Sequence, residues 1–323
     1  MGQITHEAIQ ILPSGAQVSS IQFQPTDRPI EDRFSITASP DGERLVLGVY
    51  DGHGGSETAD YISKILPLTV LEQAPHEHKS IFEATDRAML KAFERDHAFF
   101  HARSRDWRHN AQVLRSGCTA LILDIDLSNT TVNYANAGDC RAVVYDARDS
   151  GDVGMLQQTV DLNAKTPSER ERVKSEHPNE DLLIVSGRLF GKLMSTRGFG
   201  DGYYKLPGGI NNRKHKKYID TLSSVEQSGK VPLNAQYDSY FYGYRTPPYL
   251  IATPDVGVMK VTGESFIVCG SDGLFDLATS EEVARAVQQG IKDGVGNLAA
   301  YVLTAIAVNK LPGDDVTILV LKF

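Results

Sequence analysis

Leu45-Val46-Leu47-Gly48-Val49-Tyr50-Asp51-Gly52-His53-Gly54-Gly55 is an apolar run that ends on a carboxylate and then on glycine. A run so rich in Val, Leu and Tyr reads as a buried strand. A carboxylate at its end stands on a rigid element, at the rim of a core. Glycine beside it lets the backbone turn sharply and a ligand come close. The pattern returns around Asp139 (132–145), Asp272 (265–277) and the pair Asp314-Asp315 (312–323). Any single Asp-Gly is explained by a turn or an N-cap. Repetition at several strand ends points instead to a hard-cation centre for Mg2+ or Mn2+, since no cysteine or histidine pattern accompanies it.

Immediately upstream, two alternating runs between Arg33 and Val49 flank Pro40-Asp41-Gly42, a hairpin signal. The hairpin returns the chain so that Asp51 approaches Glu31, which is followed by Asp32. Carboxylates held close repel unless a cation lies between them. The Gly52 carbonyl is unshielded and suited to ligation. His53 then sits beside the metal, where an imidazole titrating near neutral pH can protonate a leaving group.

Downstream, helical spacing is predicted over Ser56–Gln73, with Pro67 kinking or ending the helix, and from Ser80 to about Arg103. Residues 119–126, 131–137 and 141–145 read as a meander of strands. Thr166-Pro167-Ser168-Glu169 and Thr279–Glu282 read as capping boxes that open helices. Strands are expected at 249–253, 265–270 and 316–322, and a helix over 297–308. The stretch 205–249 is polar, rich in Gly, Pro and Tyr, and carries the basic cluster Arg213, Lys214, His215, Lys216, Lys217. It reads as an inserted surface flap. Together these elements predict an α+β fold with antiparallel sheets.

Composition narrows the function. The chain has 323 residues, 41% of them hydrophobic, which suits one large domain or two small ones. A net charge of −8 supplies no basic field for nucleic acid or an anionic membrane. No apolar stretch approaches the ~18 residues of a membrane span. Cys118, Cys140 and Cys269 each lie inside an apolar run. An odd, scattered set reads as buried thiols in a reducing, intracellular compartment. The first 22 residues show no secretory signal and no arginine, so no mitochondrial presequence is readable. Gly2 lacks the Ser or Thr that myristoylation needs, because that position is His6.

The ordered motifs IEDRFSI (30–36), GVYDGHGG (48–55), SGCTALIL (116–123), ANAGDCRAVVY (135–145), LMSTRGFGD (193–201), ATPDV (252–256), VCGSDGLFDL (268–277) and DDVTILVL (314–321) resemble the metal-dependent serine/threonine protein phosphatases of type 2C. The resemblance covers about 28–323. It implies a catalytic domain there, after an N-terminal extension of residues 1–27. The implied fold is a sandwich of two antiparallel sheets flanked by helix pairs, a four-layer αββα arrangement. The implied cofactors are two Mg2+ or Mn2+ ions, with room for a third.

Carried over by motif position, Asp51 bridges both ions, Glu31 and the Gly52 carbonyl complete one, and Asp272 and Asp314 bind the other. Asp139 and Asp276 match a third, weaker site. Asp32 and Asp315 support from behind, and His53 is the general acid. The family's phosphate-gripping arginine falls at Asp27 here, which leaves adjacent Arg28 as the candidate. The implied reaction is hydrolysis of phosphoserine or phosphothreonine by a metal-activated water.

PIEDR, GRLFGKLM, TPPYL and DDVTI are similar to the pyruvate dehydrogenase phosphatase branch of the family. That likeness implies phosphorylated pyruvate dehydrogenase E1 as partner, and the mitochondrial matrix; with no presequence readable, the cytoplasm stays open as the alternative location. Two further readings are a catalytically dead binding module on the same fold and a metal hydrolase of small phosphoesters. Retention of Glu31, Asp51, Asp272 and Asp314 argues against the first. The flap, suited to protein contact, argues against the second.

Overall fold

The computed structural model describes residues 2–97, 103–147, 153–180, 182–207, 213–226, 245–308 and 310–323. Two antiparallel sheets lie face to face. The strands of the first are β1 (Gln3–Ile11), β2 (Gln17–Gln24), β7 (Arg141–Ala147), β8 (Val153–Gln158), β13 (Ser265–Gly270) and β14 (Val316–Lys322), in the order β1-β2-β14-β13-β7-β8. The second contains β3 (Arg33–Ala38), β4 (Arg44–His53), β5 (Gly117–Asp126), β6 (Thr131–Ala137) and β12 (Asp255–Lys260), in the order β12-β6-β5-β4-β3. A short strand, β11 (Phe199–Gly200), pairs with the start of β5.

Period-two alternation sorts each strand's side chains between two cores. Leu45, Leu47 and Val49 of β4 enter the core between the sheets, with Leu121, Leu123, Val144, Ile267, Leu319 and Leu321. Val46 and Tyr50 face the other way. They pack with Ile62, Leu66, Val70 and Phe82 of helices α1 (Glu57–Glu72) and α2 (His78–Asp96). On the outer face of the first sheet, Val268, Ile318 and Val320 pack with Val283, Val287, Val302 and Leu303. These belong to two further helices, Ser280–Lys292 and Leu298–Ala307, numbered α8 and α9 below. Each fully buried side chain of this kind contributes roughly 1.5–3 kcal/mol. The four-layer α+β sandwich is the expected architecture.

Several local expectations are corrected. Residues 1–27 are not set apart from the sheets: β2 pairs along its length with β14. Its buried residues include Ser19, Ser20, Gln22 and Gln24, so it shows no apolar alternation. Hydrogen bonds hold it instead. Gln22 Nε2 donates to the Asp32 carbonyl at 3.2 Å and to Thr317 Oγ1 at 3.1 Å. The strands at 119–126, 131–137 and 141–145 do not form one meander, because β7 belongs to the opposite sheet. The chain crosses over at Gly138-Asp139-Cys140. Gly138 has φ +140, and a Cβ there would lie 2.3 Å from Thr119 Cβ.

Pro67 neither ends nor breaks α1, being buried within the helix. The predicted second helix stops at Asp96; residues 98–102 lie outside the described residues, and α3 (Trp107–Arg115) follows. The strand falls at 255–260 rather than 249–253, where Ile251 makes only an isolated bridge to Arg197. The Thr279–Glu282 box forms in full. At Thr166, ahead of α4 (Pro167–Glu176), the cap bond is missing, because its hydroxyl donates to the Asp161 carbonyl at 2.7 Å.

Within 205–249, residues 208–212 and 227–244 lie outside the described residues, as do the side chains of Arg213 and Lys214. After the single turn α5 (Gly202–Lys205), the rest is more than a surface flap. It contains α6 (Arg213–Ser224), whose Tyr218, Ile219 and Leu222 are buried with Phe93, Leu114 and Tyr249.

Candidate metal centre and cleft

The carboxylates converge because their strands end at one edge of the sandwich. Asp51 lies opposite Thr119 and His53 opposite Gly117 where β4 meets β5. Asp139 sits where the chain crosses between the sheets. Asp272 opens the short helix α7 (Asp272–Phe275) directly after β13, and Asp314 and Asp315 precede β14, the neighbour of β13. Asp51, Asp139 and Asp272 each bring a carboxylate oxygen into one group, all within 4.8 Å of one another. A cleft of about 600 Å³ contains them, and Glu31, Gly52, His53, Asp276 and Asp314 also line it.

Removal from water raises the Asp51 pKa well above the usual carboxylate range. Asp272, Asp32, Asp139 and Asp314 push it the same way. Asp272 is raised well above its ordinary value for the same reasons, burial first and then Asp139 and Asp314. Asp139 is raised by burial, against the hydrogen bond from Asn163 Nδ2 at 2.9 Å. Carboxylates that repel one another out of water, with all-oxygen donors, are the chemistry of a hard divalent cation. The residues present fit Mg2+ or Mn2+.

Behind the cluster, Asp32 is buried and accepts from Thr317 Oγ1 at 2.8 Å; burial and then Asp315 raise its pKa to about 7. Asp315 is buried too, and its Oδ2 accepts the Glu31 N–H at 2.8 Å. Glu31 in turn accepts the Gly55 N–H at 2.6 Å. Gly52 is required for this approach, since a Cβ there would stand 2.3 Å from the Glu31 carbonyl oxygen.

Some of the cleft was not foreseen from sequence. His53 Nε2 lies 2.8 Å from Asp201 Oδ2. Burial lowers the His53 pKa, but Asp201, Asp139 and Glu31 outweigh it and leave it raised. Gly117 makes room for this contact: a Cβ there would lie 2.1 Å from His53 Nε2 and 2.2 Å from Asp201 Oδ2. Gly200-Asp201 repeats the Gly-Asp signal of the other acids, and that was the available clue. Among the described residues, Arg115, Arg188 and Lys192 are the arginines and lysines that line the cleft. Arg28 is exposed on the loop after β2 and is not among the lining residues. Arg188 belongs to a two-stranded hairpin, β9 (Ile184–Val185) and β10 (Arg188–Leu189), and donates to the Lys192 carbonyl at 3.1 Å. Its turn residues Ser186 and Gly187 have φ +51 and +71, the left-handed pair a tight hairpin needs.

The three thiols are free and buried, as expected. Among the described residues no helix is long and apolar enough to cross a membrane.

The model for the protein phosphatase 2C family matches residues 16–315, and the chain belongs to that family. It is 30% identical over 295 residues to the mitochondrial pyruvate dehydrogenase (acetyl-transferring) phosphatase 1 of Saccharomyces cerevisiae, covering 81% of this chain and 49% of that one. It is 26% identical over 364 residues to the human mitochondrial phosphatase 2 of the same description, covering 92% of this chain and 65% of the relative. The chain thus spans about half to two thirds of the length of these relatives. A Toxoplasma gondii phosphatase of known structure superposes with TM-score 0.64 at 15% identity, covering 100% of this chain and 96% of that one, a likeness of fold.

Proposed function

We propose that this chain is a Mg2+- or Mn2+-dependent protein serine/threonine phosphatase. The observation that carries the reading is the Asp51, Asp139 and Asp272 group, gathered within 4.8 Å in the cleft of a protein phosphatase 2C chain. Asp51, Glu31 and the Gly52 carbonyl would hold one cation, Asp51, Asp272 and Asp314 a second, and Asp139 and Asp276 a weaker third. Bound there, such ions supply a nucleophilic water at neutral pH and offset charge on the phosphoryl oxygens.

The chain's own groups do the rest. Arg188 and Lys192, which line the cleft, would offset the phosphate's remaining charge. Water adds to phosphorus as the phosphorus–oxygen bond to the serine or threonine breaks. His53, whose pKa Asp201 helps to raise against burial, gives its proton to the departing oxygen. The products are the free hydroxyl side chain and inorganic phosphate.

The yeast and human relatives carry pyruvate dehydrogenase phosphatase names. On that basis the substrate is phosphorylated pyruvate dehydrogenase E1, and the location the mitochondrial matrix. The test is turnover of a phosphothreonine peptide, then of phosphorylated E1, with Mg2+ or Mn2+ and with excess EDTA. Turnover should need the added ion and vanish with the chelator. Full activity in EDTA would sink the metal reading, and failure on E1 alone would sink only the substrate.

A further inference from the structure

Beside the cleft, α3 and α6 pack together, and α6 presents a groove of about 330 Å³. Arg103, Lys216, Lys217, Asp220, Thr221 and Ser224 line it. Three cations face one carboxylate there, in a chain whose net charge is −8. The Arg103 guanidinium lies over the Trp107 ring, 4.2 Å from its centroid, which restrains it. Lys217 Nζ donates to the His97 carbonyl at 2.6 Å and ties α6 to the end of α2, while Lys216 is exposed.

The same helix pair leads to the active cleft. α3 begins at Trp107, beside the groove, and ends at Arg115, which lines the cleft and donates to the Val225 carbonyl just beyond α6. Nine helical residues make α3 about 12 Å long, which sets the scale of the gap between the Arg103 end of the groove and the cleft. An extended peptide spans that gap in about four residues.

We propose that this groove docks an acidic stretch of the phosphoprotein substrate, set about four residues from the phosphorylated side chain. The proposal rests on the phosphatase reading above. A chain of net charge −8 repels an acidic partner overall, so a local positive groove selects the orientation in which that partner approaches.

Three phosphothreonine peptides test it on the full chain with Mn2+. One carries alanine around the phosphothreonine, one glutamates three to five residues before it, and one glutamates three to five residues after. One of the glutamate peptides should exceed the alanine peptide in kcat/KM by about threefold to tenfold. The advantage should shrink as salt rises. In Arg103→Glu/Lys216→Glu it should invert. Fluorescence anisotropy on the same peptides reads the groove independently of turnover and should follow the same order. Equal kcat/KM and equal binding for all three peptides would overturn the proposal, as would an advantage the double variant keeps. Charge-dependent binding to phosphatidylserine vesicles without any peptide preference would overturn it in favour of a lipid surface. Turnover of the alanine peptide reports on the phosphatase reading by itself.

Discussion

Asp51 and Glu169 are both carboxylates drawn out of water, and their surroundings drive them in opposite directions. Burial raises the Glu169 pKa, but Arg197, Arg172 and Thr196 overturn that and hold it at about 2. Arg197 Nη2 lies 2.6 Å from Oε1, Arg172 Nη2 2.8 Å from Oε2, and Thr196 Oγ1 2.7 Å from Oε2. Asp51 has burial and four other aspartates pushing it up. Where the chain needs a structural carboxylate, it supplies the cations itself. Where it leaves carboxylates facing one another in a cleft, the counter-charge comes from solution.

Substitution at the two sites should therefore have opposite signatures. Asp51→Asn or Asp272→Asn should lower kcat roughly 10³-fold or more, because the metal chemistry is lost. In EDTA the same variants should be no less stable than the parent, since one repelling charge has gone. Near-normal kcat in either variant would remove Asp51 or Asp272 from the proposed ligand set. A large loss of stability in EDTA would erase the contrast.

Glu169→Gln should destabilise the fold by about 3 kcal/mol, because two arginines lose their shared partner. Its folded pKa lies below the unfolded one, so this stabilisation is complete above about pH 4.5 and is lost as pH falls towards 2. Urea unfolding of parent and variant should differ clearly at pH 6, and the difference should narrow by pH 3. A gap of the same size at both values would mean that Glu169 acts through packing rather than charge.

The smallest effect separates two adjacent residues. Asp314 is exposed at the cleft, whereas Asp315 is buried and accepts the Glu31 N–H. Asp314→Ala should raise the metal concentration for half activity about tenfold, and Asp315→Ala about threefold, through a loosened Glu31. A metal titration that reverses this order would exchange the two roles.

Much of the site was legible because each acid lies at or beside a strand end, and strand ends are marked locally. Asp51, Asp139 and Asp272 stand out by that signal alone. Asp201 carries the same Gly-Asp mark but meets His53 across 148 residues of chain, a separation no local pattern encodes. Arg28 has the right sequence neighbourhood but is exposed on the loop after β2 and does not line the cleft. Arg188 and Lys192 enter the cleft from a hairpin whose position depends on the packing beneath it.

By itself the sequence determined the alternating runs, the glycines that permit close approach, the carboxylate chemistry and the family. Each of these depends on side-chain type and short spacing. Tertiary structure alone decided that β7 leaves β6 for the other sheet, that polar β2 is an interior strand, and that α6 packs along α3 towards the cleft. Strand partners and helix docking are chosen by non-local pairing, where a residue's surroundings come from distant chain. The same distinction made Asp51 a candidate ligand and Glu169 a structural anchor.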